Sequence, residues 1–225
     1  MPIHFKVSKW SAWVQGDSRG LSVADTPPPI PAMLRRRLGT VGRAAAGLVM
    51  DTLPAQANPV VVFCSRHGDI ERTLKVLHSL TCEEPVSPMD FSLSVHNAIA
   101  GILSIHNGVT AGISSISACG EELVPALLEA AAFLSADCRQ VMCVHCEVPL
   151  PEIFHADEPG LAYASCYILS ADEGVSLTLS HAGEEREAAP SGSLPPALQF
   201  HEFLGSAQAN LAITHNGGRW TIARN

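Results

Sequence analysis

The sequence predicts an α/β domain in which a mixed β-sheet is covered by helices. Short apolar runs rich in β-branched residues alternate along the chain with segments whose apolar residues recur at helical spacing. Of the 225 residues, 47% are hydrophobic and 16% are charged. A chain of this length and composition can bury a large core, and we expect a single domain over residues 1–225.

Local patterns predict the elements of the first third of the chain. Residues 3–14 alternate enough for a strand, and the Pro/Gly-rich stretch 16–32 predicts a connection. One helix is expected over 33–53, and an apolar run predicts a buried strand at 59–65. Asp69 can cap the following helix, whose sequence is IERTLKVLHSL.

The middle of the chain continues the alternation of strands and helices. A long apolar helix is predicted over 87–108, a strand over 112–118 and a strong helix over 121–136. The continuous apolar run 140–148 predicts an inner strand, and residues 160–171 predict another.

The last part of the chain carries weaker patterns. They predict a shorter strand at 175–182, a loop at 183–195, a helix near 196–209 and a final strand at 219–223.

Charge and composition exclude several classes of protein. The net charge is −8, and such an acidic, charge-poor chain argues against nucleic acid and an anionic membrane surface as partners. The start MPIHFKVSKW has no apolar core of a signal peptide, and no apolar run is long enough for a membrane span, so a cytoplasmic protein is expected. The sequence contains no glycine-rich phosphate loop, and we expect no cofactor.

The seven cysteines favour reduced thiols over a disulfide framework, because their number is odd and most lie in apolar runs. They are Cys64, Cys82, Cys119, Cys138, Cys143, Cys146 and Cys166. Cys143 and Cys146 form a CxxC pair around His145, but in a strand they would point to opposite faces. We therefore interpret them as buried core thiols and expect no metal site.

Two groups of histidines are candidate sites. The Arg-His-Gly of CSRHGDIERT, with His67, resembles the phosphate-accepting motif of histidine phosphatases, although that motif sits on their first strand and needs a distant second histidine. A turn at a strand end is the simpler interpretation. On one continuous helix His96 and His106 would not share a face, and His96 is interpreted as a hydrogen-bonded helix residue that could also line a pocket.

Cys119 lies in a small-residue turn between the strand GISSISA and a helix. A helix N-terminus lowers a thiol pKa and stabilises an oxyanion, so a thiol acyltransferase or hydrolase is one interpretation. Glu121 and Glu122 follow directly, and their charge would raise that pKa. A packing role for Cys119 is the other interpretation.

The stretch SVHNAIAGILSIHNGVTAGISSISACGEELVPALLEAA resembles the N-terminal half of β-ketoacyl synthases, the condensing enzymes of the thiolase fold. FCSRHGDIERTLKVL, FSLSVHNAIAG and SISACGEE are similar to short ketoacyl synthase N-terminal-like proteins, which are often described as chain length factors of aryl polyene-type clusters. The resemblance runs over about 1–171 and is strongest over 59–132, which leaves 171–225 as a divergent part. It implies half of a thiolase-like fold.

The chain departs from a condensing enzyme where the chemistry would occur. Aligned without gaps from Gly101, the nucleophile falls at Gly120 instead of Cys119, and glutamates replace the glycine-serine loop. The two catalytic histidines belong to the second half of the thiolase fold, for which this chain, at about half the usual length, has no room. The resemblance therefore implies a vestigial elbow without catalysis, formed by Cys119, Gly120 and Glu121.

What remains is an interface and a tunnel. In thiolase-fold dimers the strand before the nucleophile pairs across the two-fold axis. The resemblance implies a heterodimer with a full-length β-ketoacyl-ACP synthase, reached by acyl carrier protein through the complex, in fatty-acid-, polyketide- or polyene-type biosynthesis. The interface strand comprises Gly112, Ile113, Ser114, Ser115, Ile116 and Ser117. The candidates for the acyl tunnel are Phe91, Val95 and His96, with Phe91 first for setting chain length.

Overall fold

A mixed eight-stranded sheet forms the centre of the molecule in the computed structural model. The structure describes residues 2–16, 20–24, 26–54, 57–118, 122–154, 160–184, 193–215 and 217–225. The strands are β1 (Ile3–Val14), β2 (Val60–Cys64), β3 (Ile113–Ile116), β4 (Gln140–Glu147), β5 (Tyr163–Ser170), β6 (Val175–Glu184), β7 (Asn210–His215) and β8 (Gly218–Arg224). Their order across the sheet is β3-β2-β4-β5-β1-β6-β8-β7.

The sheet changes direction between β4 and β5. Strands β3, β2 and β4 are parallel, and every pair from β4–β5 to β8–β7 is antiparallel. Parallel strands need crossover connections, which the helices between β2, β3 and β4 supply. The carboxyl ends of the three parallel strands therefore meet at one edge of the sheet.

Helices cover both faces of the sheet. They are α1 (Ala32–Arg37), α2 (Thr40–Thr52), α3 (Ile70–Thr81), α4 (Pro88–Ser92), α5 (Ala98–Asn107), α6 (Leu123–Phe133) and α7 (Pro196–Gly205), with a short 3₁₀ helix at Glu152–Phe154. One core lies under α1, α2 and α5, with Leu34, Leu48 and Leu103 among its buried side chains. The other lies under α6 and α7, where Leu127 and Phe200 are fully buried. The α/β class with a mixed, helix-covered sheet is confirmed.

Two predicted helices are each divided in two, which corrects the sequence interpretation. The helix expected over 33–53 breaks where Leu38 is extended and Gly39, a poor helix former, becomes the N-cap of α2. The helix expected over 87–108 breaks after α4. There the Ser92 and Ser94 hydroxyls donate to the carbonyl groups of Met89 and Phe91, so side chains compete for the main chain.

The divergent tail holds one strand more than expected. β6 is ten residues long instead of short, because it pairs with β1 on one side and β8 on the other. β7 was missed entirely, although the letters HNGG at 215–218 carry the Asn-Gly signal of a tight hairpin. The tail thus extends the sheet and contributes α7 to its cover.

Candidate functional site

β3 lies at the end of the sheet, where it pairs with β2 and has no second neighbour among the described residues. The Val61 N–H donates to the Gly112 carbonyl at 3.0 Å, and the Ser65 N–H donates to the Ile116 carbonyl at 3.2 Å. Main-chain groups alternate in direction along a strand, so those of Ile113 and Ser115 point away from β2. The predicted interface strand is therefore an open edge.

The side chains of β3 also alternate. The Ser114 hydroxyl donates to Glu129 Oε1 on α6 at 2.7 Å, whereas Ile113 is 38% exposed on the opposite face. Beyond the strand, the Ser117 hydroxyl donates to the Arg66 carbonyl at 2.7 Å. Neither lysine nor proline, the usual guards of exposed edges, occurs in 112–117. The edge is suited to pairing with another chain.

Residues 88–97, here called the α4 segment, expose apolar side chains on the surface. Met89, Phe91 and Val95 are 50%, 64% and 51% exposed. In contrast, Asp90 is buried, and it accepts hydrogen bonds from Arg72 Nη1 at 2.9 Å and Lys75 Nζ at 2.6 Å. The Lys75 hydrogen bond, the charge of Lys75 and that of Arg72 lower the pKa of Asp90. The sequence interpretation missed Asp90, since a carboxylate on a predicted apolar helix reads as a solvent-facing residue.

His96 lies in the turn before α5, not on a continuous helix with His106. Its Nε2 donates to the Ser65 carbonyl at 2.7 Å, and its ring meets Phe63 edge-on with 5.9 Å between centroids. Gly68 has φ +61°, and a Cβ there would lie 3.0 Å from the His96 Cα. The ring therefore ties the α4 segment to the end of β2.

The predicted elbow Cys119, Gly120 and Glu121 lies outside the described residues. Its described surroundings are acidic, because Glu122 is 4% exposed and Glu147 lies nearby at the end of β4. Burial and the charge of Glu122 raise the pKa of Glu147 to about 8, although the Arg66 N–H donates to its Oε1 at 2.7 Å. A catalytic thiolate is stabilised by nearby positive charge, and neither of these two carboxyl groups supplies it.

The CxxC pair occupies both cores. Cys143 packs on the α6 side and Cys146 on the α2 side, which confirms that they point to opposite faces. His145 lies between them in the sequence and is buried. Burial lowers its pKa to about 4, and the Glu122 main chain opposes this shift. Within the described residues no group of three or more potential ligands could hold a metal ion.

The phosphatase motif directly follows the second strand of the chain. His67 is exposed just after β2, and partial burial together with the charge of Arg66 lowers its pKa.

In the described part of the chain, no helix combines the length and apolar character needed to cross a bilayer.

The family model described as "Beta-ketoacyl synthase, N-terminal domain" matches residues 10–221. The chain belongs to this family. The match spans 64–73, so the Arg-His-Gly motif is part of a β-ketoacyl synthase domain, which disfavours the phosphatase interpretation. None of the curated proteins matches the sequence.

Solved structures agree with this assignment. One is the complex of the ketosynthase ApeO with its chain length factor ApeC from Xenorhabdus doucetiae; the match has 28% identity, covers 99% of this chain and 100% of that chain, and has a TM-score of 0.83. The ishigamide ketosynthase/chain length factor is 14% identical, with coverages of 81% and 67% and a TM-score of 0.50.

A third match is the complex AntDE:AntF, a type II PKS acyl-carrier protein with its ketosynthase, at 16% identity, coverages of 76% and 64% and a TM-score of 0.53. At these lower identities the likeness concerns the fold alone. The expected resemblance and the thiolase-like fold class are confirmed.

Proposed function

We propose that this protein is a non-catalytic, chain length factor-like subunit that pairs with a full-length β-ketoacyl-ACP synthase. The observation that carries the proposal is the open edge of β3, where the main-chain groups of Ile113 and Ser115 face outward. An exposed strand edge without guarding charges is a template for pairing with another chain. The ApeO–ApeC complex is a ketosynthase bound to its chain length factor.

The acidic surroundings of the elbow support a role without chemistry. A Claisen-type condensation needs a thiolate nucleophile and groups that hold the developing enolate. Glycine stands at position 120, where the resemblance places the nucleophile, and the buried Glu122 that follows the elbow brings no positive charge that would stabilise a thiolate. The partner would therefore perform the reaction, and this chain would stabilise it.

The exposed α4 segment supports a role in shaping the partner's acyl tunnel. A surface formed by Phe91, Val95 and Met89 is costly in water and favourable against an apolar chain or a protein partner. Phe91, as the largest of the three, would set how far an acyl chain can extend.

Carrier protein is the second partner, and an arginine surface supports its contact with this chain. Residues 33–43 contain four of the chain's 14 Lys and Arg residues and no Asp or Glu. The four are Arg35, Arg36, Arg37 and Arg43. All are exposed, and none forms an ion pair with another described residue. On a chain of net charge −8, such a patch suits an acidic protein surface.

Proline at the outward-facing position of β3 tests the pairing. Because the Ser115 N–H points away from β2, Ser115→Pro removes a donor on the open edge without breaking the β2 ladder. Co-purification with a co-expressed candidate full-length ketosynthase that pairs with the parent chain should fall at least tenfold for Ser115→Pro. Ser115→Thr, which keeps the N–H, should co-purify normally, and both variants should unfold at similar temperatures.

Two results would reject the proposal. One is a Ser115→Pro variant that folds and still pairs with the ketosynthase as the parent does. The other is thioester hydrolysis or acyl transfer by the isolated chain that Cys119→Ala abolishes, which would establish the thiol enzyme instead. Loss of phosphate release on His67→Ala would favour the phosphatase.

A further inference from the structure

The Arg72 side chain joins three helices, α1, α3 and α4. Its Nε pairs with Asp69 Oδ2 at 3.1 Å, its Nη1 with Asp90 Oδ1 at 2.9 Å, and its Nη2 donates to the Arg37 carbonyl at 2.9 Å. The side chain is only 13% exposed. One guanidinium thus connects the end of α1, the N-cap of α3 and the middle of α4.

Apolar packing does little to hold α4 in place. Its main packing neighbour among the described elements is α3, and Asp90 is its one buried residue. Both Asp90 carboxylate oxygens are engaged, Oδ1 by Arg72 and Oδ2 by Lys75. The position and rotation of this five-residue helix therefore depend on charged hydrogen bonds, which are directional, and not on a hydrophobic contact that would tolerate sliding.

The anchored residue directly precedes the exposed phenylalanine. Successive residues on a helix differ by about 100° in direction, so holding Asp90 inward directs Phe91 outward, where it is 64% exposed. We propose that Arg72 is a positioning residue that fixes Phe91 for the partner's acyl tunnel and so sets the product chain length. This inference rests on the proposed function.

Arginine is required by the geometry of the contacts. The planar guanidinium presents donors in a fixed fork that can meet Asp69, Asp90 and the Arg37 carbonyl together. A lysine keeps the charge but has a single ammonium group on a flexible stem, so it can satisfy only part of the set. Arg72→Lys should loosen α4 without removing the positive charge.

The test compares product lengths made by the purified heterodimer. Arg72→Lys should broaden the distribution toward longer products and at least double their share, with the heterodimer yield within twofold of the parent. Arg139→Lys is the matched control, because Arg139 and Asp172 form an ion pair whose side chains are 50% and 58% exposed. This control should give the parent distribution.

A double variant separates positioning from a general loss of structure. If Arg72 acts through Phe91, adding Arg72→Lys to Phe91→Ala should leave the distribution of Phe91→Ala unchanged. Two results would overturn the inference. One is a double variant whose product lengths shift by the sum of the two single shifts. The other is an Arg72→Lys variant with the product distribution of the parent while Phe91→Ala changes that distribution. If Arg72→Lys does not fold, Asp90→Asn makes the same test from the other partner.

Failure of the underlying function looks different. In that case the ketosynthase would make the same products with and without the parent chain. Phe91→Ala would then not change the product lengths, so Arg72→Lys could not act through Phe91.

Discussion

The His96 Nε2 donates a hydrogen bond of 2.7 Å to the Ser65 carbonyl, and so joins the turn before α5 to the end of β2. Gly68 makes room for this contact, because a Cβ at this position would lie 3.0 Å from the His96 Cα. Strand β2 is the direct neighbour of the open edge strand β3. The two surfaces proposed for the partner, the strand edge and the α4 segment, therefore share a rigid connection.

Gly68→Ala should destabilise the protein. Gly68 has φ +61°, where a residue with a Cβ is strained by about 1–2 kcal/mol, and the added methyl also presses on His96. Gly101→Ala is the control, because a methyl added at this position in α5 would meet no other part of the structure within 4 Å. Its free energy of unfolding should rise by about 0.5–1 kcal/mol, since alanine favours a helix more than glycine does. Urea unfolding measures both, and equal effects of the two substitutions would contradict this account.

Phe91→Ala should lengthen the products of the heterodimer. Removing the ring of this 64% exposed side chain shortens the barrier that it would place in the tunnel. Mass spectrometry of the released acyl chains gives the distribution. Ile105→Ala, at an 84% exposed residue of α5, should not change it. Products of unchanged length from Phe91→Ala would remove Phe91 from the tunnel.

Glu147 should make stability fall as pH rises. Its folded pKa is about 8 and its ordinary value 4.5, so between these values the native state holds a proton that the unfolded state has released. The free energy of unfolding then decreases by up to about 1.4 kcal/mol per pH unit in this window. Glu147→Gln should remove this slope and keep the acceptor for the Arg66 N–H.

The pH series needs a reference carboxylate. Glu152→Gln, in the exposed 3₁₀ helix, should retain the slope of the parent protein. A parent protein whose stability is flat from about pH 5 to 8 would show that Glu147 is ionised in the folded state.

The arginine surface should govern carrier-protein affinity. Arg36→Glu reverses one charge in the middle of the patch, so binding of the carrier protein to the heterodimer should weaken severalfold and its salt dependence should decrease. Calorimetry at two salt concentrations measures both effects. Lys9→Glu makes the same charge change at an exposed position of the inner strand β1 and should leave binding unaltered. Equal losses for the two variants would show only a net-charge effect.

Exposed cysteines should be alkylated faster than buried ones. Cys82 is exposed, whereas Cys64, Cys143, Cys146 and Cys166 are buried, and burial raises the pKa of Cys166 to about 12. A brief treatment with iodoacetamide, read by peptide mass spectrometry, should modify Cys82 and spare these four. Modification of Cys119 faster than Cys82 would reveal an activated thiol and count against a vestigial elbow.

Sequence patterns predicted those strands well whose burial determines the spacing of apolar residues. β1, β2, β4 and β5 lie within a few residues of their predicted bounds, since continuous or alternating apolar runs are the direct signature of a buried sheet. The open edge of β3 followed from the resemblance and not from periodicity. The order of the strands across the sheet was not predicted, because strand pairing is a long-range property.

Helix breaks were not predictable in the same way. The 87–108 segment has apolar residues throughout. Besides the local bonds of the Ser92 and Ser94 hydroxyls, its interruption involves distant parts of the chain: Ser65 accepts from His96, and Thr73 donates to the Ser94 carbonyl. Asp90 was invisible as a buried residue for the same reason, since its partners Arg72 and Lys75 lie on another helix. Local propensity carries no information about such partners.

The two ends of the sheet are far apart. β3 and β7 are the outermost of eight strands, and strands are spaced by about 4.8 Å, so about 34 Å separates them. A fluorophore or affinity tag attached after β8, beside β7, would sit well away from the pairing edge. Assembly with a ketosynthase can therefore be followed by labels on the tail without the label competing for the contact it reports.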